Sequence, residues 1–307
     1  MSAQAINNKH ILITGGKGLI GRLVTNELLN RGYSVSHLSR TPGNDPRIRT
    51  YLWDVYKGHI DENCLESVDT VLHLAGENIA DKRWTEKRKK EIIDSRTKSI
   101  ALIYHLIKSK ANQVNTIISA SAIGFYSDRG DELLTEDSLP NSDFMAHCCM
   151  EWENAVDKGK ELGLRILKFR TGVVLNKDEG ALLEMAKPIK LWLGAPLGNG
   201  RQWIPWIHWQ DVVNMYLYAI EKINLSGVYN MAAPKPVTNK QFTTALAKQL
   251  HRPLWPIKIP AFVFKLLMGE MSTIVLGSTR VSAEKIENDG FVFKYPELSD
   301  ALKEIYH

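Results

Sequence analysis

At 307 residues, with 44% hydrophobic and 24% charged side chains, the chain has the balance of an ordinary globular protein, which excludes disorder as its dominant state. Its net charge of +5 comes without a nucleic-acid motif, and no apolar run is long enough to cross a bilayer. Three cysteines (Cys64, Cys148, Cys149) have neither the number nor the spacing of a disulfide framework or a metal site. Met1–Lys9 is polar and lacks the apolar centre of a signal peptide, so the cytosol is the expected compartment, with neither membrane nor nucleic acid as a partner.

In chain order, His10 to Thr14 is a short apolar run stopped by glycines, which predicts a buried parallel strand. Leu19 to Asn30 has helical apolar spacing and ends on Arg31-Gly32. Strands follow at Tyr33–Leu38, Asp69–Ala75, Asn115–Ala120 and Leu164–Phe169, with a long helix over Thr85–Lys110 and another around Trp152–Lys160. Strands alternating with helices predict an α/β fold with a doubly wound parallel sheet. Residues 1–180 are expected to form this domain, with about 206–232 returning to it. From residue 181 to 307, proline and tryptophan become frequent and a smaller α+β substrate-side lobe is expected. The basic stretch Lys82-Arg83 and Lys87 to Lys90 reads either as a solvated helix face or as a polyphosphate-steering patch.

The junction of the first strand and helix reads Thr14-Gly15-Gly16-Lys17-Gly18-Leu19-Ile20-Gly21, which satisfies G-x-G-x-x-G in the context of a strand, a turn and a helix. Glycine allows the tight turn, the close approach of backbone to a pyrophosphate and the close seat of helix on strand. The helix N-terminus then offers unpaired N–H groups to phosphate. A dinucleotide site is expected here. The second strand ends Ser36-His37-Leu38-Ser39-Arg40, with no carboxylate before Asp45 to accept from a ribose 2′-hydroxyl. Ser39 and Arg40 suit a 2′-phosphate instead, so NADP(H) is the expected cofactor.

Together with HLAGENIADKRW (His73–Trp84), RTGVVL (Arg170–Leu175) and WIHWQD (Trp206–Asp211), these motifs resemble the extended short-chain dehydrogenase/reductase superfamily. More narrowly, they resemble its NAD-dependent epimerase/dehydratase-related "epimerase family protein" group, whose small C-terminal domain is similar to residues 252–305. The resemblance implies that Asp54 contacts adenine, that Leu74, Ala75 and Gly76 line the cofactor path, and that Glu77 and Arg83 lie near ribose or phosphates. It implies further that Ser119, Ala120 and Ser121 flank the nicotinamide and that Arg170, Gly172 and Val173 pass its far side. Extended relatives pair through long helices, so a homodimer across the apolar stripe of Thr85–Lys110 is expected.

The superfamily's Tyr-x-x-x-Lys pair, in which lysine lowers the tyrosine pKa and holds the ribose, is missing: Phe144 and Cys148 take its positions. Tyr126 is a candidate replacement acid or else an aromatic wall, and Ser121 is a second catalytic candidate. His147 and the Cys148-Cys149 pair read as reactive groups or as ordinary helix residues. His208 and Asp211 either orient each other for catalysis or cap the following helix. Arg201, Gln202 and Trp206 are candidates for gripping a polar or anionic substrate, of which no class can be read. These features point to an oxidoreductase or epimerase-like enzyme with an atypical site. The alternative is a non-catalytic NADP(H)-binding redox sensor or partner-docking protein.

Overall fold

The computed structural model describes residues 9–256 and 259–307. Met1 to Asn8, read above as carrying no leader, and Ile257-Lys258, within the expected small domain, lie outside the described residues. The first half alternates strand and helix: β1 (His10–Thr14), α1 (Leu19–Asn30), β2 (Ser34–Ser39), β3 (Arg49–Asp54), β4 (His59–Ile60), β5 (Thr70–His73), α2 (Glu86–Ser109) and β6 (Thr116–Ala122). There follow β7 (Leu133–Leu134), α3 (Phe144–Asp157), β8 (Arg165–Thr171), β9 (Val173–Leu175), α4 (Ala181–Lys190), β10 (Trp203–Ile204), β11 (Trp206–His208), α5 (Trp209–Glu221) and β12 (Gly227–Met231). The remainder is β13 (Val237–Thr238), α6 (Asn239–Gln249), α7 (Ala261–Met268), α8 (Thr273–Leu276), β14 (Arg280–Val281), α9 (Glu284–Asn288) and α10 (Leu298–Tyr306).

One large sheet runs β12-β8-β6-β5-β1-β2-β3-β4, parallel throughout except for the antiparallel β3–β4 pair. Strand β1 shows why both faces need helices. Ile11 and Ile13 pack with Val24 and Leu28 of α1 and with Val212 and Tyr216 of α5, while Leu12 points the other way toward Ile100 and Ile103 of α2. Strand addition runs outward from β1 to β2 and β3 on one side and from β1 to β5 and β6 on the other. That reversal opens a crevice at the carboxyl ends of β1 and β5. Strand β12 pairs with β8, so the chain returns to the sheet after β10 and β11.

Two boundaries differ from the sequence reading for local reasons. Helix α3 begins at Phe144, because the Asp143 side chain accepts from Ala146 N at 2.9 Å and caps it there. It gives way to a 3-10 turn over Lys158–Leu162 that ends on Gly163 at φ +73°. Strand β3 lacks a continuous apolar run because it alternates, with Tyr51 and Trp53 buried and Leu52 42% exposed.

The apolar stripe of α2 is spent inside the chain. Ile100, Ile103 and Leu106 are buried against the sheet, and Ile92 packs with Trp84, Cys148 and Met271. The feature that carried the expectation of a partner helix is therefore already covered. Among the described residues, no helix is long and apolar enough to cross a membrane. Truncating this stripe removes core packing: Ile100→Ala should cost about 2–5 kcal/mol in urea denaturation and leave the solution mass by light scattering unchanged.

Candidate functional site

The glycine turn is shaped by contacts that leave no room for side chains. Gly15 sits at φ +70°, and a Cβ on it would meet the Leu74 carbonyl oxygen at 2.8 Å. A Cβ on Gly21 would lie 2.4 Å from Gly15 O, which is how closely α1 rests on the turn. At Gly18 the nearest atom, Gly15 O, would be 3.4 Å away, so that glycine faces open space rather than protein. Gly18 is also the N-cap of α1 and supplies no side-chain cap, so the first-turn N–H groups stay available to an anion. A ligand's phosphate, and not the fold, is what a Gly18 side chain would obstruct.

Beside this turn lies a groove of about 460 Å³, lined by Gly15 to Gly18, His37 to Thr41, Trp53, Val55, Tyr56, Leu74 to Glu77 and Ser95. The Thr14 hydroxyl is buried beneath it and accepts from both Leu74 N and Ala75 N at 3.0 Å, fixing the β5 loop alongside the turn. Leu19 and Ile20 open α1 and pack, half-buried, at its first turn. Trp53 and Val55 line the groove, whereas the Asp54 carboxylate is turned back to accept from Tyr56 N and Lys57 N at 3.1 Å.

The β2 end of the groove is the electropositive one. Lys17 Nζ donates to Thr41 Oγ1 at 2.5 Å and to Pro42 O at 2.9 Å, holding an ammonium at the start of the loop that follows β2. Arg40 is exposed and pairs with Glu77 at 3.0 Å, so a carboxylate does stand at this end, supplied by β5 and not by β2. Glu77 is itself held by the buried Arg88 at 3.3 Å. Burial pushes the Glu77 carboxyl upward, but the hydrogen bond from Arg88 and the charge of Arg40 outweigh it and keep it below the usual range. Sequence reasoning missed Lys17, His37, Leu38, Thr41, Trp53, Val55, Tyr56 and Ser95. Lys17 stood inside the glycine motif and could have been read there.

The structure places the other expected site residues away from this groove. Ser119 is buried and bonded to His73 Nδ1 at 3.1 Å. Ser121 donates to Glu153 Oε1 at 2.7 Å in the interior. Arg170 forks onto the same carboxylate, Nε to Oε1 at 2.8 Å and Nη2 to Oε2 at 3.0 Å, and its Nη1 donates to Tyr126 Oη at 2.8 Å. The reason is strand parity: Phe169 faces the α1–α5 side, so Arg170 must face α3. Tyr126 is fully buried, donates to Asn230 Oδ1 at 2.8 Å, and burial pushes its phenol up to about 12 against the opposing charge of Arg170. It is neither open to a substrate nor poised for acid chemistry near neutral pH.

One open reading is resolved toward capping, and three more expectations are corrected. His208 caps α5, its Nδ1 accepting from Gln210 N at 3.1 Å, while Nε2 meets Glu304 at 2.7 Å. Asp211 lies inside α5 and accepts from Lys294 N and Tyr295 N at 2.8 and 2.9 Å, so the two residues pin the C-terminal segment and do not face each other. Trp206 is a core side chain with its Nε1 bonded to Lys235 O at 3.2 Å, and Gln202 is buried with Nε2 on Leu197 O at 3.0 Å. Of the substrate candidates, Arg201 alone is exposed. Gly172 allows β8 to pass close to Pro205, whose oxygen would lie 2.3 Å from a Cβ there, and Val173 N donates to the same oxygen at 2.7 Å. Arg83 is exposed beside Gly269. At the Tyr-x-x-x-Lys positions, Phe144 packs edge-on against Trp84 at 4.8 Å, among Met145, Met268 and Met271, and burial raises the Cys148 thiol.

Fold and groove together define a dinucleotide-binding protein of the doubly wound α/β class. The chain belongs to the NAD dependent epimerase/dehydratase family, whose model matches residues 11–232, and residues 259–305 match a domain of unknown function (DUF1731). That family binds NAD(P). The chain is 36% identical over 298 residues to the epimerase family protein YfhF of Bacillus subtilis, covering 96% of this chain and 97% of that one. Among solved structures, it is similar to the human epimerase family protein SDR39U1 (isoform 2) with NADPH, at TM-score 0.85 and 31% identity, covering 97% and 99% of the two chains. It is also similar to a nucleoside-diphosphate sugar epimerase from Corynebacterium glutamicum, at TM-score 0.79 and 32% identity, covering 97% of this chain and 58% of that one.

Two variants separate groove from scaffold. Gly18→Val should abolish dinucleotide binding in calorimetry while the circular dichroism spectrum stays native. Retained binding would mean that phosphate does not sit at this turn. Tyr126→Phe, which strands hydrogen-bonding atoms of Asn230 and Arg170 in the interior, should cost about 1–3 kcal/mol of stability and leave dinucleotide affinity unchanged.

Proposed function

We propose that this chain binds NADP(H) in the groove beside the glycine turn. The observation that carries the reading is the cationic β2 end, where Ser39, Arg40 and Lys17 surround the place a 2′-phosphate would take and β2 itself offers no carboxylate. The NADPH in the human structure, from a chain 31% identical, supports the same reading. The open face of Gly18 and the uncapped first turn of α1 would receive the pyrophosphate, and Trp53, Val55 and Tyr56 would flank the adenine. When bound, the nicotinamide supplies hydride chemistry toward a carbon bearing oxygen.

As an oxidoreductase or epimerase-like enzyme, the protein must work without the superfamily's tyrosine–lysine pair. A second reading, a non-catalytic NADP(H) sensor or docking protein, is favoured by one observation. Tyr126, Ser121 and His208 are each buried and each committed to a partner within the fold. Turnover assays with NADPH and a panel of carbonyl compounds and sugar nucleotides divide the two readings.

NADPH should bind at least about tenfold more tightly than NADH, since one charge-assisted pair with the 2′-phosphate is worth about 1.5–3 kcal/mol. Arg40→Ala should bring the two affinities within about threefold, read by nicotinamide fluorescence titration. Equal affinities in the natural protein would sink the NADP assignment.

A further inference from the structure

Arg96, on the inward side of α2, is a cation that the groove-lining residues leave out of account. Its Nη1 donates to Ile92 O at 2.9 Å and to Ser95 Oγ at 3.4 Å, and its Nη2 donates to Glu77 O at 3.0 Å. Of the five guanidinium N–H groups, two have no partner among the described residues. The plane lies over Trp152, with Cζ 4.9 Å from the ring centroid. A Cβ on Gly76 would come within 2.9 Å of that Cζ. Gly76 lines the groove, so the guanidinium packs against a residue of the groove wall that has no side chain.

The charge is also uncompensated. Arg40, Arg88 and Arg170 each have a carboxylate within ion-pair distance, whereas among the described residues Arg96 has none. Glu77, whose backbone it holds, turns its own carboxylate to Arg40 and Arg88. The surroundings feel the charge. Burial drives the proton affinity of His73 down and that of the Cys148 thiol up, and Arg96 lowers both. Lys17 and Arg40 serve the β2 end, and Arg88 of α2 is already paired with Glu77 and Glu91, so among the described residues Arg96 is the α2 cation that bonds to the β5 loop without meeting a carboxylate.

We infer that Arg96 anchors the pyrophosphate and nicotinamide ribose half of the dinucleotide from α2, in place of the lysine that Cys148 cannot supply from α3. The inference rests on the NADP(H) reading above. A fixed charge beside the groove wall would act on a dianionic pyrophosphate in a partly excluded site, where it is screened less than in water. It is a positioning role. The same geometry explains why position 76 is glycine, since any side chain there would displace the guanidinium.

The test compares NADPH with adenosine 2′-monophosphate, which reaches only the β2 end, in calorimetric titrations of natural protein, R96Q and R96K. R96Q should lose about tenfold or more in NADPH affinity and stay within about twofold for adenosine 2′-monophosphate. R96K keeps the charge but not the fork, and should stay within about threefold for both ligands. If both variants lose NADPH and adenosine 2′-monophosphate alike, Arg96 is merely a brace for the Glu77 loop and the inference falls. It falls equally if R96Q binds NADPH normally. Should R96Q fail to fold by circular dichroism, R96K decides alone, a tenfold loss of NADPH overturning the proposal. Failure of the natural protein to bind either ligand would instead overturn the cofactor reading, and the inference with it.

Discussion

The contact between Gly21 and Gly15 is the constraint on which the rest of this molecule hangs. Because Gly21 has no side chain, α1 settles directly on the turn, and because Gly15 has none, the β5 loop can approach it. The first N–H groups of α1 meet no side-chain cap. Thr14 then ties the β5 loop to the same turn through two backbone N–H groups. One hydroxyl and a few missing Cβ atoms thereby align the glycine turn, the Leu74–Glu77 loop and the cationic end of β2 around one groove.

A second constraint governs the other half of the sheet. Glu153 receives Arg170 in a forked pair and Ser121 as a third donor, and Arg170 passes the network on to Tyr126 and Asn230. Burying such charges is tolerable because the carboxylate is paired and four of the five guanidinium N–H groups find acceptors. The consequence is that the strand ends where a related enzyme would keep its reactive groups are locked. At the positions of the tyrosine and lysine, Phe144 and Cys148 pack instead into an apolar cluster with Trp84 and Met271.

What could be read from the sequence was what is local. The strand His10–Thr14, the glycine turn and the helix Leu19–Asn30 are encoded by neighbours within one βα unit, and the structure shows the same bounds for strand and helix. The cationic end of β2 was legible for the same reason. The ion pair of Arg40 with Glu77 was not, because it joins residues 37 apart across two strands. Arg170 and Ser121 were misplaced because the side of a strand facing a given helix depends on packing that no short motif states. The two readings of His208 could not be separated from sequence, because a histidine near a carboxylate looks the same there whether it caps a helix or moves a proton.

The pairing of β12 with β8 has a consequence for how the chain is made. The large sheet has its edge at residues 227–231, while the strand it covers ends at Thr171. During synthesis, β8 can pair with β6 but must wait through the whole intervening lobe with the N–H and C=O groups of its outer edge unpaired, an open template for other strands. Such closure across distant segments is slow compared with helix formation. Nascent chains stalled between these two points should therefore be the ones most dependent on chaperones.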